Sequence, residues 1–456
     1  MVDKESSNDI TGKLAEYMAE ACDQDLQENV ALEAKNHILD SVAAMVSGAR
    51  LKPGQLAVEY VRALGGTPEA QVIGNALVTS AVNAALANGM MGHADETDDT
   101  HMPTKIHPGC GIVPAALAMA EREAASGTHL LRAVTLGYDI CCRIVQAMDA
   151  TLLHQTHRAP QGIGPTFGAA AAAGSLLRLD PEQMRYLLSY AAQQASGIFC
   201  WARDVEHIEK AFDFGGMGAR NGVMAAQMVK AGFTGVWNVL EGEHNLLEAF
   251  STAPRPEVLL DRIGSFYEIA NTAIKAFPVG YPIQAALDAL FTIMRRDGIS
   301  ATDVDHIVAR LPEDGARIVD DREMPDINIQ HVLAMAMVDG EVTFASTHSY
   351  ERMKDPEVLS MRLRVELVSD PALVDLELPR QAVIQISIKD GRVLSHHTKA
   401  PPGTVQNPMT SEQVNDKARD LMAPVLGSEH AEKLIDRLQN LEAVEDMREL
   451  RPLLSA

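Results

Sequence analysis

Between His93 and His107 the chain reads His-Ala-Asp-Glu-Thr-Asp-Asp-Thr-His-Met-Pro-Thr-Lys-Ile-His, three histidines and four carboxylates in fifteen residues. Side chains of these types do one of three things: they ligate Zn²⁺ or Fe²⁺, pass protons as an acid/base pair, or face water as a solvated turn. No compact ligand pair at a four-residue spacing stands out, so a metal is not singled out by pattern. The density of titratable groups still marks the stretch as a candidate site. A second stretch, His154 to Gly168, places His157 and Arg158 on a Gly- and Pro-rich segment ahead of an Ala-rich helix. A tight interhelical turn explains its glycines but not His157 and Arg158. A third, Arg203 to Asn221, holds Lys210 and a Gly-Gly-Met-Gly run beside a helix start. That run lacks the Lys-Ser/Thr of a P-loop and follows no strand, which disfavours a nucleotide. The fourth is Lys275-Ala-Phe-Pro-Val-Gly-Tyr281, where Lys275 is either a surface lysine or a cation reaching into a cleft.

The cations among these, Lys210, Lys275 and Arg158, matter because of the overall charge. With 39 Lys+Arg against 62 Asp+Glu, the 456-residue chain carries a formal −23. Such a surface repels nucleic acid, anionic membranes and multiply charged anions, so a carboxylate substrate would need a local cationic pocket.

Helices are the elements that must position these groups. Apolar residues recur at three- and four-residue spacing over 30–48, 80–93, 111–124, 128–148, 166–178, 181–197 and 217–232. Aromatic residues make up only 4%, which points away from a β-sandwich. Beyond Lys275 the pattern changes to a helix over 281–296, short strands at 305–311, 362–368 and 382–388, and a helix over 328–338. Asp390-Gly391 makes a hairpin turn after the third strand. Two further helices follow at 411–425 and 428–441. The fold class is mainly α: a large all-helical domain over 1–274, completed by the helices of 408–456, and a smaller α+β domain over 275–407. Five cysteines, an odd number with no Cys-x-x-Cys, fit free thiols in a reducing compartment. The polar N-terminus is not a signal peptide, and no run of about 18 apolar residues exists to span a bilayer. A cytoplasmic protein is expected.

Four motifs in order, His93 to His101, His107-Pro-Gly, Lys275-Ala-Phe-Pro and Arg322-Glu-Met-Pro-Asp-Ile-Asn-Ile-Gln-His331, resemble the MmgE/PrpD family. Asp390-Gly391 and Asn407-Pro-Met-Thr410 extend the resemblance over nearly the whole chain. That family includes 2-methylcitrate dehydratase, cis-aconitate decarboxylase and iminodisuccinate epimerase. The resemblance implies an all-helical domain with an α+β lid, a homodimer, an active site in the cleft between domains, and neither metal nor organic cofactor. It places active-site residues at Glu96, Thr100, His107, His157, Lys210 and Lys275. The chain departs from the family pattern at Glu96, where Asp is usual, in a longer loop after His157, and at Gly280, where several members carry a histidine. Tyr281 is the neighbouring candidate to replace that histidine as an acid.

The expected function is a cofactor-independent lyase, a hydro-lyase acting on a small hydroxylated di- or tricarboxylate. His107 and His157 are the expected acid/base pair, Lys210, Lys275 and Arg158 the carboxylate binders, and Glu96 with Thr100 the positioning groups. Rival readings are an epimerase of an amino- or imino-dicarboxylate, a cis-aconitate-type decarboxylase, a metal-dependent hydrolase built on the His/Asp loop, and a silent binding protein.

Overall fold

The computed structural model describes residues 9–375 and 378–455. The polar N-terminal stretch, expected not to be a signal peptide, lies outside the described residues except for Asp9. The chain divides into two compact units, Met1–Ala273 with Leu421–Ala456, and Ile274–Asp420. The fold is mainly α. Among the described residues no helix is long and apolar enough to cross a membrane.

In the first unit, helices start where side chains satisfy otherwise orphaned N–H groups. Ser80 accepts from Asn83 N ahead of helix Ala81–Gly92, and Ser126 from His129 N ahead of Gly127–Met148. Asp180 and Gln183 form a reciprocal capping box at Pro181–Gln194. Helix Pro160–Leu176 is the centre of this unit, packed between Gly127–Met148 and Met217–Lys230, and every one of its residues is buried.

That helix corrects an expectation. Residues 160–165, read as loop from their glycines and prolines, are helical. Pro160 occupies the first turn, where its missing N–H costs nothing, and Pro165 is carried inside the helix. The glycines serve close approach rather than flexibility. A Cβ on Gly168 would lie 2.6 Å from Gly137 O, and one on Gly164 2.7 Å from Val145 Cγ2. The Gly-Gly run at 215–216 is likewise no loop. Phe212–Gly216 forms a π turn that joins helix Ile208–Ala211 to Met217–Lys230. A Cβ on Gly215 would lie 2.0 Å from Gly89 O, so the π turn rests directly on the backbone of helix Ala81–Gly92.

The second unit is built on a four-stranded sheet in the order Val365–Ser369, Val304–Leu311, Ala382–Ile388, Val393–Thr398. The first pair is parallel and the others antiparallel. Alternation sets its buried face: Ala382, Ile384, Ile386 and Ile388 point into a core shared with helices Gln284–Asp297 and Ile329–Asp339. Gly391, at φ 92°, makes the turn between the last two strands. His331, on the second of those helices, is fully buried, and neither ring nitrogen has a hydrogen-bond partner among the described residues. Burial, with Arg362 and Arg352 nearby, lowers its pKa to about 4.

Two outcomes follow from this packing. Gly215→Ala drives a methyl into backbone that cannot yield, and should cost about 1–3 kcal/mol by chemical denaturation. For His331 the native pKa lies below the unfolded value of 6.5, so the unfolded state takes the proton first. The stability it contributes is complete above 6.5 and is lost as pH falls toward 4. His331→Leu should leave stability at pH 7 unchanged or raised by about 1 kcal/mol and flatten its decline between pH 6.5 and 4, read by thermal melts across that range.

Candidate active site

The loop from His93 to His107 is strung between the end of helix Ala81–Gly92 and the start of Gly109–Arg122. It is not a solvated turn. Asp95, Glu96, Asp98, Asp99, Thr100, His101 and His107 are all buried. Buried carboxylates need partners, and here each has different ones. Asp95 accepts from Thr97 N and Oγ1, both at 2.8 Å, which closes the first turn. Thr100–His101 pairs antiparallel with Thr272–Ala273. Asp99 anchors the loop, accepting from Tyr138 OH at 2.6 Å, His37 Nδ1 at 2.7 Å and Gly109 N at 3.0 Å. His101 pairs with Glu268 at 3.1 Å. Burial opposes charge on His101, but its Cys142 and Glu268 neighbours hold it at about 9. Burial likewise opposes charge on Glu268, and the His101 bond overrides it, down to about 2. These contacts are scaffold.

The remaining groups of the loop converge elsewhere. Asp98 accepts from His93 Nδ1 at 2.9 Å through one oxygen and from His107 Nδ1 at 3.0 Å through the other. With a carboxylate as acceptor, each imidazole donates from Nδ1. The rings meet edge to face at 5.0 Å, and His93 stacks on Phe214 at 4.1 Å. Glu96 is paired with Lys210, whose ammonium also lies over the rings of Phe214 and Trp201 at 5.1 and 5.4 Å. His207, behind them, is pressed to about 3 by burial and by the Lys210 charge, so it stays neutral. Asp213, in the π turn, goes the other way. Burial and the nearby Glu209 push it up to about 8, so at neutral pH it is mostly a protonated acid.

Of the residues expected from sequence, His107, Glu96 and Lys210 are brought together here. Thr100 lies on the same buried loop. His157 does not join this group by any hydrogen bond or ring contact among the described residues. It is exposed, at φ 64°, on the rim of a 520 Å³ cleft with Arg158, Phe199, Cys200 and Arg203. Arg158 is partly committed, donating to Phe250 O at 2.7 Å. An aromatic wall leads inward from that cleft: Phe199 to Trp201 at 4.9 Å, Trp201 to Phe214 at 4.8 Å. Lys275 and Tyr281 belong to the second unit, Lys275 fully buried and Tyr281 held well above the usual phenol range by burial. Sequence reasoning missed Asp98, His93, His207 and Asp213. The density of acids and histidines pointed to the stretch but did not separate Asp98 from Asp99.

The MmgE/PrpD N-terminal domain matches residues 12–259 and the MmgE/PrpD C-terminal domain residues 277–443. Similar curated proteins are cis-aconitate decarboxylases. That of Aspergillus terreus is 23% identical, covering 99% of this chain and 97% of its own length. That of Homo sapiens is 26% identical, over 94% of this chain and 91% of its own. That of Mus musculus is 25% identical, over 94% and 90%. Two consecutive domain models thus take up most of the sequence, and the chain belongs to the MmgE/PrpD family.

Proposed function

We propose that this chain is a lyase acting on a small polycarboxylate, and that it eliminates water from a hydroxylated di- or tricarboxylate. The observation that carries the reading is the Asp98-bridged histidine pair lying beside the Lys210–Glu96 pair. Elimination next to a carboxylate begins with loss of a proton from the neighbouring carbon. The charge then spreads into the carboxylate oxygens. A base near neutral pKa and a cation aimed at those oxygens are what such a step needs, because they stabilise the transition state more than the bound acid.

His107 Nε2 is the base in this reading, and Asp98 stabilises the imidazolium as it forms. Lys210 binds a substrate carboxylate, with Glu96 holding its ammonium in place. Thr100 positions the loop. Lys275 and Arg158 as further carboxylate binders, His157 as the second acid/base group and Tyr281 as an acid rest on the resemblance and on residue type. Decarboxylation is the second reading, favoured by whole-length similarity to proteins named as cis-aconitate decarboxylases. Gly280, where several family members place a histidine, weighs against it.

Incubation with methylcitrate, citrate, cis-aconitate and iminodisuccinate in D₂O, followed by proton NMR, separates the readings. Dehydration is expected: the C–H signal beside the hydroxyl-bearing carbon disappears as both carbons become an alkene and water leaves, with every carbon retained. Release of carbon dioxide would replace it by decarboxylation, and deuterium exchange at one carbon without further change by epimerisation. Asp98→Asn should lower kcat about 10²- to 10⁴-fold with a smaller change in KM. Lys210→Met should lower kcat/KM about 10²- to 10³-fold.

A further inference from the structure

We propose that His93, Glu96 and His207 form a binding site for one divalent transition-metal ion, best matched by Zn²⁺, and that its occupation silences the chain by drawing Glu96 away from Lys210. His93 is fully buried and His207 nearly so, and the Nε2 of each is buried without a hydrogen-bond partner among the described residues. A buried nitrogen left unbonded is costly, and two of them facing one carboxylate call for a common partner. Ligand atoms of His93, Glu96 and His207 lie within 4.8 Å of one another, with His207 Nε2 4.0 Å from Glu96 Oε1. The two imidazole centroids are 5.1 Å apart. Two imidazoles on one tetrahedral zinc, at Zn–N of about 2.0–2.1 Å, have centroids about 5 Å apart.

The surroundings are those of a prepared ligand set. Asp98 holds Nδ1 of His93, so its Nε2 lone pair is the one presented, as an outer carboxylate does for metal-bound histidines. Stacking on Phe214, with 10° between the planes, fixes the ring. His207 adopts the left-handed backbone conformation at φ 59°, a strained state for a residue with a Cβ, and that conformation aims its ring at His93. Two nitrogens and one carboxylate oxygen suit zinc rather than magnesium or calcium. Three protein ligands leave a fourth position open.

Lys210 and a metal ion compete for the same carboxylate, so the ion is an inhibitor and not a required partner of the reaction. That second part rests on the reading of Lys210 as the substrate binder; the binding itself does not.

The test is calorimetric titration of the full, metal-stripped chain with Zn²⁺, paralleled by Co²⁺ and its visible absorption. One ion per chain is expected, with the intense spectrum of tetrahedral cobalt. His207→Ala should weaken binding at least 100-fold. Lys210→Met should tighten it, a gain that misfolding cannot mimic. Zn²⁺ should raise the melting temperature of the unaltered chain and not that of His207→Ala. No binding by the unaltered chain, or binding unchanged in His207→Ala, overturns the site. Turnover that continues with the site filled overturns the silencing alone. Binding as expected with no turnover of any polycarboxylate leaves the site standing and defeats the lyase reading instead.

Discussion

The structure depends on taking a highly charged loop out of water. An ionised carboxylate moved into a protein interior costs several kcal/mol unless it is paired and hydrogen-bonded. The loop from Asp95 to Asp99 asks this four times in five residues. Asp95 is satisfied by its own turn and Asp99 by donors on surrounding helices. Glu96 is paired with Lys210, 114 positions away, and Asp98 with the two histidines at the ends of the loop. The same burial that must be compensated thus gathers an ammonium, two imidazoles and two carboxylates.

Bringing Lys210 to Glu96 sets a condition on the helices. The π turn after Lys210 has to sit against helix Ala81–Gly92, which delivers the loop. Gly89 and Gly215 permit it, since a methyl at either position would strike the other's backbone. The same turn directs Phe214 onto His93 and buries Asp213. A π turn wastes a backbone hydrogen bond and is kept where it re-aims side chains. Here it places an ammonium, an aromatic face and a protonated carboxyl on successive parts of one short segment.

Much of this architecture could be read in the sequence, because helix faces repeat every three to four residues and the sheet strands alternate. Boundaries failed where one residue type serves two purposes. Gly162, Gly164 and Pro165 have the composition of a loop, yet they form a helix whose glycines accept neighbours at contact distance. The candidate site was legible as a region and only partly as residues. The residues picked out the His93–His107 stretch and Lys210 separately, and only the resemblance put His107, Glu96 and Lys210 in one site, since nothing local relates positions so far apart. Asp98 and Asp99 are identical in type and adjacent, and only the backbone direction gives one to the histidines and the other to Tyr138. Asp213 and His207 look ordinary in sequence. Their protonation follows from burial, which no pattern of letters reports.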